Sequence, residues 1–557
     1  MKKFSSLGLI FILTVLTLST SLSFGADPLD QLNRSVTFGD SIGRNSTPGI
    51  IYSLDSNGSS SPCEKGFASS KCQIESSSLD IFNTLSPCDS DFSSPCIEDI
   101  WAQNESGTFI QGIYSGERIP PWDQYAFSAN KQLQLSQARR SNLYTFPGIQ
   151  HDQGDLFEVI PNLNRSILKG VLQSPTSLTT TVQGVYLDKS ELPPTYPTGI
   201  SSGDTRVAAL YRCMEFNTQW TKDCWKPATQ SKPINFRLEF RLPSMPSGWV
   251  NGRLLRPEVI FEQLAITENQ PIRVIISGET LSVPMLEKQY FFVQQKEKET
   301  WDKLTSIFGL PWSLPFSAGP AMGATSIREY TLAKTQDPMM DFATQVNPKW
   351  VSNLDWQNAL PKNTTCTKTG FLGYVGSNAL TYASTIPSFD PIDGSLNYQV
   401  ASPHSLPNGK VFNGYYELLL DENYARCIWG ISNAPVRASI SVLNDAGEVK
   451  VVTTSVGVKN GILHFQAAGF TFSTNTIKTK LELLTPAPSP TPTPSATPTP
   501  TPTSSATSSA TPIPSATPIP SVISKLVKLK SITCQQGKVK KKITSTNPKC
   551  PTGYKKK

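Results

Sequence analysis

The ten cysteines are the residues whose spacing speaks most directly of chemistry. They fall as near neighbours, Cys63 with Cys72, Cys88 with Cys96, Cys213 with Cys224 and Cys534 with Cys550, and Cys366 and Cys427 are left to each other. An even number so spaced reads, in an oxidising compartment, as five disulfides, although spacing leaves other connectivities open. On the chain-entropy view each short loop contributes roughly 2.5–3 kcal/mol, and the longer Cys366–Cys427 loop about 4. Metal ligation is the competing chemistry. No two cysteines form a C-x-x-C pair, and the histidines are only His151, His404 and His464, so no structural zinc site is expected.

The search for catalysis yields little. A zincin helix, a phosphate loop and a dinucleotide loop opening a helix are absent. Two sets of carboxylates stand close together, Asp390 with Asp393 in SFDPIDGS and Asp89 with Asp91 in PCDSDF. Neither follows the order of a calcium loop, and both read most simply as side chains turning the backbone. His404, in ASPHSLPNG, reads as a hydrogen-bonded loop histidine, and His464 as an exposed strand residue. Trp220 and Trp225 flank Cys224 in NTQWTKDCWKP. A tight disulfide loop would present them for sugar stacking or protein contact, or let them pack on the disulfide itself. No catalytic residue, cofactor or metal is assigned.

Charge is split along the chain. From Ser521 to Lys557 there are eleven lysines and no acidic residue. With these and the two leader lysines taken from the formal +7, the body stands at −6. Lysines at this density attract polyanions by releasing their counterions. The candidate contacts are Lys538, Lys540, Lys541, Lys542, Lys549, Lys555, Lys556 and Lys557. With one aromatic, Tyr554, the tail has no stacking platform for bases, so no specific nucleic acid is expected.

The elements that must carry these groups follow from pattern. MKKFSSLGLIFILTVLTLSTSLSFGA (1–26) has a basic start, an apolar run of about a dozen residues and a small-x-small site, which reads as a cleaved export signal. That run is shorter than a spanning helix needs. The lysine-rich end has no hydrophobic tail, so attachment to a surface is expected to be non-covalent. Residues 485–521 are almost wholly Pro, Thr, Ser and Ala. They predict an extended spacer that reaches about 110 Å at roughly 3.1 Å per residue.

Residues 366–484 predict an antiparallel β-sandwich of immunoglobulin size. VRASISVL alternates over 436–443, Asn460-Gly461 signals a two-residue hairpin, and TIKTKLELL alternates again. Cys427 in NYARCIWG is expected to pin two strands, and Trp429 to lie in the core. Upstream, a β-rich region with small disulfide loops spans 27–245. A middle region, 246–365, contains strands such as PIRVIISGETLSV, a helix over 286–308 and an irregular stretch from 310. The fold class is mainly β: disulfide-stapled antiparallel β-sandwich modules with one short helix, a disordered Pro/Thr linker and a small basic C-terminal hairpin over 522–557, closed by Cys534 and Cys550.

The tail ITCQQGKVKKKITSTNPKCPTGYKKK, behind a Pro/Thr spacer, resembles a terminal module of exported actinobacterial proteins whose function is unknown. LGYVGSNALTYAS, LNYQVASPH, FNGYYELLLDENYARCIWGISNAPVRASISVL and GFTFSTNTIKTKL are similar to a repeated theme of the same proteins. GWVNGRLLRPEV and PCDSDFSSPCIEDI resemble other stretches of them. The resemblance covers about half of the mature chain. It implies location and architecture and carries over no site residue.

Together these readings predict a secreted, extracellular or wall-associated protein. Its body would be displayed on a stalk and its basic tail would grip an anionic envelope polymer, with a glycan or protein as further partner. The alternative is a secreted hydrolase acting on wall or polysaccharide.

Overall fold

The computed structural model describes residues 34–38, 49–55, 60–75, 77–89, 95–117, 126–139, 141–188, 224–264, 271–291, 294–308, 316–318, 324–356, 366, 370–383, 386–432, 436–444, 449, 453–472, 475–483, 530–536, 539–545, 550 and 555–556. Met1–Thr485 form one compact unit and Pro486–Lys557 a second.

The first unit is mainly β. Its N-terminal stretch gives β1 (Arg34–Phe38), β2 (Ile50–Leu54), β3 (Ser60–Pro62), β4 (Ser78–Thr84), β5 (Cys96–Gln103), β6 (Phe109–Gln111) and β7 (Ile113–Gly116). Next come β8 (Asn142–Thr145), β9 (Leu156–Leu168), β10 (Val171–Leu172), β11 (Ser177–Asp188) and β12 (Cys224–Pro227). The middle supplies β13 (Asn235–Leu242), β14 (Trp249–Gln263), β15 (Ile272–Tyr290), α1 (Gln295–Phe308), β16 (Phe316–Ala318), α2 (Ala324–Gln336) and β17 (Gln345–Asp355). Then follow β18 (Gly373–Ser377), β19 (Thr381–Tyr382), β20 (Ser388–Asp390), β21 (Ser395–Ala401), β22 (Asn413–Asp421) and α3 (Glu422–Ile428). The unit closes with β23 (Val436–Leu443), β24 (Thr453–Lys459), β25 (Ile462–Thr471) and β26 (Asn475–Leu483).

One long central sheet runs β3-β2-β4-β9-β11-β17-β14-β18-β22-β25-β24. Every step is antiparallel except β14–β18, which is parallel. A first covering sheet, β6-β5-β13-β15-β14, packs on one face. The alternation of β13 shows why: Phe236, Leu238, Phe240 and Leu242 are buried, where they meet Phe157, Leu178 and Trp350 of the central sheet. A second covering sheet, β21-β26-β23 with β19 and β20 beside β21, lies on the opposite face. Its Tyr398, Ile477 and Leu481 meet Leu418, Leu420 and Phe465. Strand β22 is therefore buried on both sides, Leu419 facing the first core and its neighbours the second, which explains the unbroken Leu418-Leu419-Leu420 run.

The first covering sheet is tied to the central sheet by a strand that changes sheets. Residues 249–253 of β14 pair in the central sheet, and 254–263 pair with β15. The register shifts between Leu255 and Glu258, where Arg256 takes a left-handed backbone at φ 54°. Such an irregularity bends a strand and lets it serve two layers.

Several sequence expectations change. Within 286–308 the first residues continue β15 to Tyr290 and pair with β1, and the helix starts at Gln295. Glu297 marks that start, since its carboxylate accepts the Phe291 N–H at 2.6 Å. The stretch from 310 holds α2 and β17 rather than irregular chain. Ile327, Tyr330 and Ala333 of α2 recur at helical spacing and meet Trp301 and Leu304 of α1 in a third core. Cys427 sits in the helix α3, whose cap is Asp421 accepting from Tyr424 N at 2.9 Å, so the disulfide pins a helix rather than a second strand. Trp429 is partly buried, and its indole donates to the Gly394 carbonyl at 2.7 Å. At the hairpin, Asn460 and Gly461 have φ of 52° and 73°, the two positive values a type I′ turn requires.

In the second unit, β27 (Lys530–Gln536) pairs antiparallel with β28 (Val539–Ser545) and with β29 (Lys555–Lys556).

Candidate functional site

The lysine-bearing segments of the second unit are held by backbone pairing. Across its three strands, Lys540, Gln535 and Lys555 stand in one row and Lys541, Cys534 and Lys556 in the next, and Lys542 is opposite Thr533. Neighbouring strands lie about 4.8 Å apart, so the outer-strand lysine positions of each row are roughly 10 Å apart. Lys555 and Lys556 are exposed. Cys550 is disulfide-bonded. Lys538, Lys549 and Lys557 lie outside the described residues, as do the side chains of Cys534, Lys540, Lys541 and Lys542.

In the first unit the bonds Cys63–Cys72, Cys88–Cys96 and Cys366–Cys427 are formed. Cys213, Trp220 and the side chains of Cys224 and Trp225 lie outside the described residues. Asp390 accepts from Ile392 N at 2.9 Å, and Asp393 from Ser395 N at 2.9 Å and Lys478 Nζ at 2.6 Å. These carboxylates turn the chain and bind a lysine, and among the described residues no cluster of metal-ligating type forms. Asp89 is exposed and Asp91 lies outside the described residues.

His404 and His151 are hydrogen-bonded, and His464, expected to be an exposed strand residue, is half-buried on β25. His404 Nδ1 bonds the Phe472 carbonyl at 3.1 Å. His151 is buried, accepts from Gln153 N on Nδ1 and so donates from Nε2 to the Leu156 carbonyl at 2.9 Å. Burial pushes its pKa down, as it does for half-buried His464, where Lys459 adds to the shift.

The chain also contains Gly39-Asp40-Ser41-Ile42-Gly43, with the G-x-S-x-G spacing of a nucleophile elbow. An elbow turns from a strand into a helix. Here β1 ends at Phe38, the next described element is the strand β2, and residues 39–48 lie outside the described ones.

Two buried polar clusters were not legible in the sequence. Arg253, fully buried on β14, donates from Nη1 to the carbonyls of Ser377 at 2.6 Å and Ala379 at 2.5 Å. Its Nη2 donates to Leu380 O at 3.1 Å, and its guanidinium lies 4.2 Å from the centre of the Tyr382 ring. It thereby clamps the turn by which the chain leaves the central sheet for the second covering sheet. Glu417, on β22 and 5 % exposed, accepts from Tyr415 Oη at 2.5 Å and from Arg256 N at 3.2 Å. Gln466 donates to the same Tyr415 hydroxyl at 3.1 Å, and the Arg256 guanidinium pairs with Glu279.

Burial raises the Glu417 pKa above the ordinary glutamate value of 4.5, against the lowering effect of its hydrogen bonds. A carboxyl raised in the folded state binds its proton more tightly there than in the unfolded chain, so ionising it costs stability as pH rises. Glu417→Gln keeps the acceptor without the charge. The variant should gain on the wild type as pH climbs from 4.5 towards neutrality. Urea midpoints across that range give the test, and parallel curves for the two proteins would refute it.

Comparison with protein-family models, curated proteins and solved structures finds no match.

Proposed function

We propose that the chain is an exported surface protein whose β-rich body is displayed on the Pro/Thr spacer and held to an anionic envelope polymer by the lysine-rich module. The observation that carries this reading is the row of lysines set in register on β28 and β29 within a segment that has no acidic residue. A charge cluster fixed on a sheet loses less conformational freedom on binding than a free tail. In the same reading residues 366–484 form an immunoglobulin-sized sandwich, with β18, β22, β25 and β24 as one layer and β19–β21, β26 and β23 as the other.

The test is cosedimentation with cell walls rich in anionic polymer, comparing the mature chain with one ending at Leu484 across a salt series. The full chain should pellet and the shortened chain should not. Six to ten phosphate contacts predict that affinity falls by roughly 10³-fold or more between about 50 and 200 mM salt. Equal pelleting of the shortened chain would show that the body, and not the tail, is the tether.

A further inference from the structure

Among the described residues, the outer face of the first covering sheet contributes no side chain to the hydrophobic cores. Strand β5 turns Ile97, Ile100 and Ala102 inward and leaves Asp99, Trp101 and Gln103 on the outside. Trp101 is partly exposed, and beside it in register stand Arg237 of β13 and Gln111 of β6. The ion pair Arg237–Glu239 at 2.7 Å runs along β13, and Arg241–Glu98 at 2.6 Å joins β13 to β5.

We propose that this face binds a neutral, extended polysaccharide, with Trp101 as its stacking platform. An indole offers a wide apolar face to the C–H side of a sugar ring. The amides, guanidiniums and carboxylates around it match hydroxyl groups, which both donate and accept. Five strands at about 4.8 Å spacing give a track about 19 Å across, room for several rings in line. Six carboxylates stand on the face against four guanidiniums, one of them Arg256 paired with Glu279, which sets it against a polyanion. Its centre is charged, with Ile275 and Ile260 as the apolar members, whereas protein interfaces deplete charge at the centre.

This deepens the reading of the body as the displayed binding part and rests on it, and salt separates the two. Cosedimentation of the full mature chain with cellulose, chitin and mannan particles in ~0.5 M NaCl suppresses charge-driven contacts. The wild type should pellet with at least one of them. Trp101→Ala should weaken that binding about thirtyfold, and Gln111→Ala severalfold. Trp101→Phe, which keeps a ring in the sheet, controls for folding together with the far-ultraviolet circular dichroism of each variant. Failure of the wild type on all three particles overturns the proposal. So does Trp101→Ala pelleting as the wild type, or a Trp101-dependent binding to anionic walls and not to neutral particles.

Discussion

Replacing Arg253 by methionine is expected to lower the stability of the body by about 4 kcal/mol. The side chain is fully buried and spends its donors on three successive parts of one turn, the carbonyls of Ser377, Ala379 and Leu380. Methionine fills the space but offers none of these donors, and each stranded acceptor costs its own desolvation. The turn is held elsewhere as well. Ser377 Oγ donates to Tyr415 O at 2.8 Å, and Leu380 N to Ser402 Oγ at 3.1 Å. The predicted loss is therefore that of one clamp and not of the whole junction. Arg253→Lys should recover only part, since an ammonium cannot span three acceptors as the planar fork does. Urea midpoints of the mature chain measure both variants, and a loss under about 1 kcal/mol for methionine would show that the carbonyls find other donors.

The double substitution Cys366→Ser with Cys427→Ser should cost a similar amount, about 4 kcal/mol on the chain-entropy view. The bond spans 61 residues and roots α3 beside the second core, where Cys366 is 5 % exposed. The loops closed by Cys63–Cys72 and Cys88–Cys96 span nine and eight residues, so opening one of them should cost roughly 2.5 kcal/mol. Midpoints with and without reductant give the comparison. If removing the long loop destabilises no more than removing a short one, the effect lies in local packing and not in the unfolded chain.

Legibility in the sequence followed burial on one face. Strands with one wet side, such as β13, β23 and β26, announce themselves by alternation, and the Asn460-Gly461 turn by its two residues. Strand β17 did not. Its last five positions before Asp355 are buried without a break, because it lies inside the central sheet, and Pro348 argues against a strand of any kind. The parallel pairing of β14 with β18 joins residues more than a hundred positions apart, a relation no local pattern encodes. Strand β29 has two residues and so no period to read. Arg253 and Glu417 were missed for a general reason: a charged residue is expected at the surface, and only the folded chain shows the carbonyls and hydroxyl that make its burial tolerable.

The parallel step has a consequence for how the molecule is made. Residues 250–252 find partners in 352–354 on one side and in 374–376 on the other, and β5 must wait for β13. Long-range pairing of this kind slows folding and lengthens the time for which strand edges stand open. A ribosome that has released the first 340 residues holds β14 complete in sequence but with neither central-sheet neighbour yet made. The body is then a task for a nearly finished chain, and a holding chaperone would have most to protect in the interval before β17 and β18 emerge.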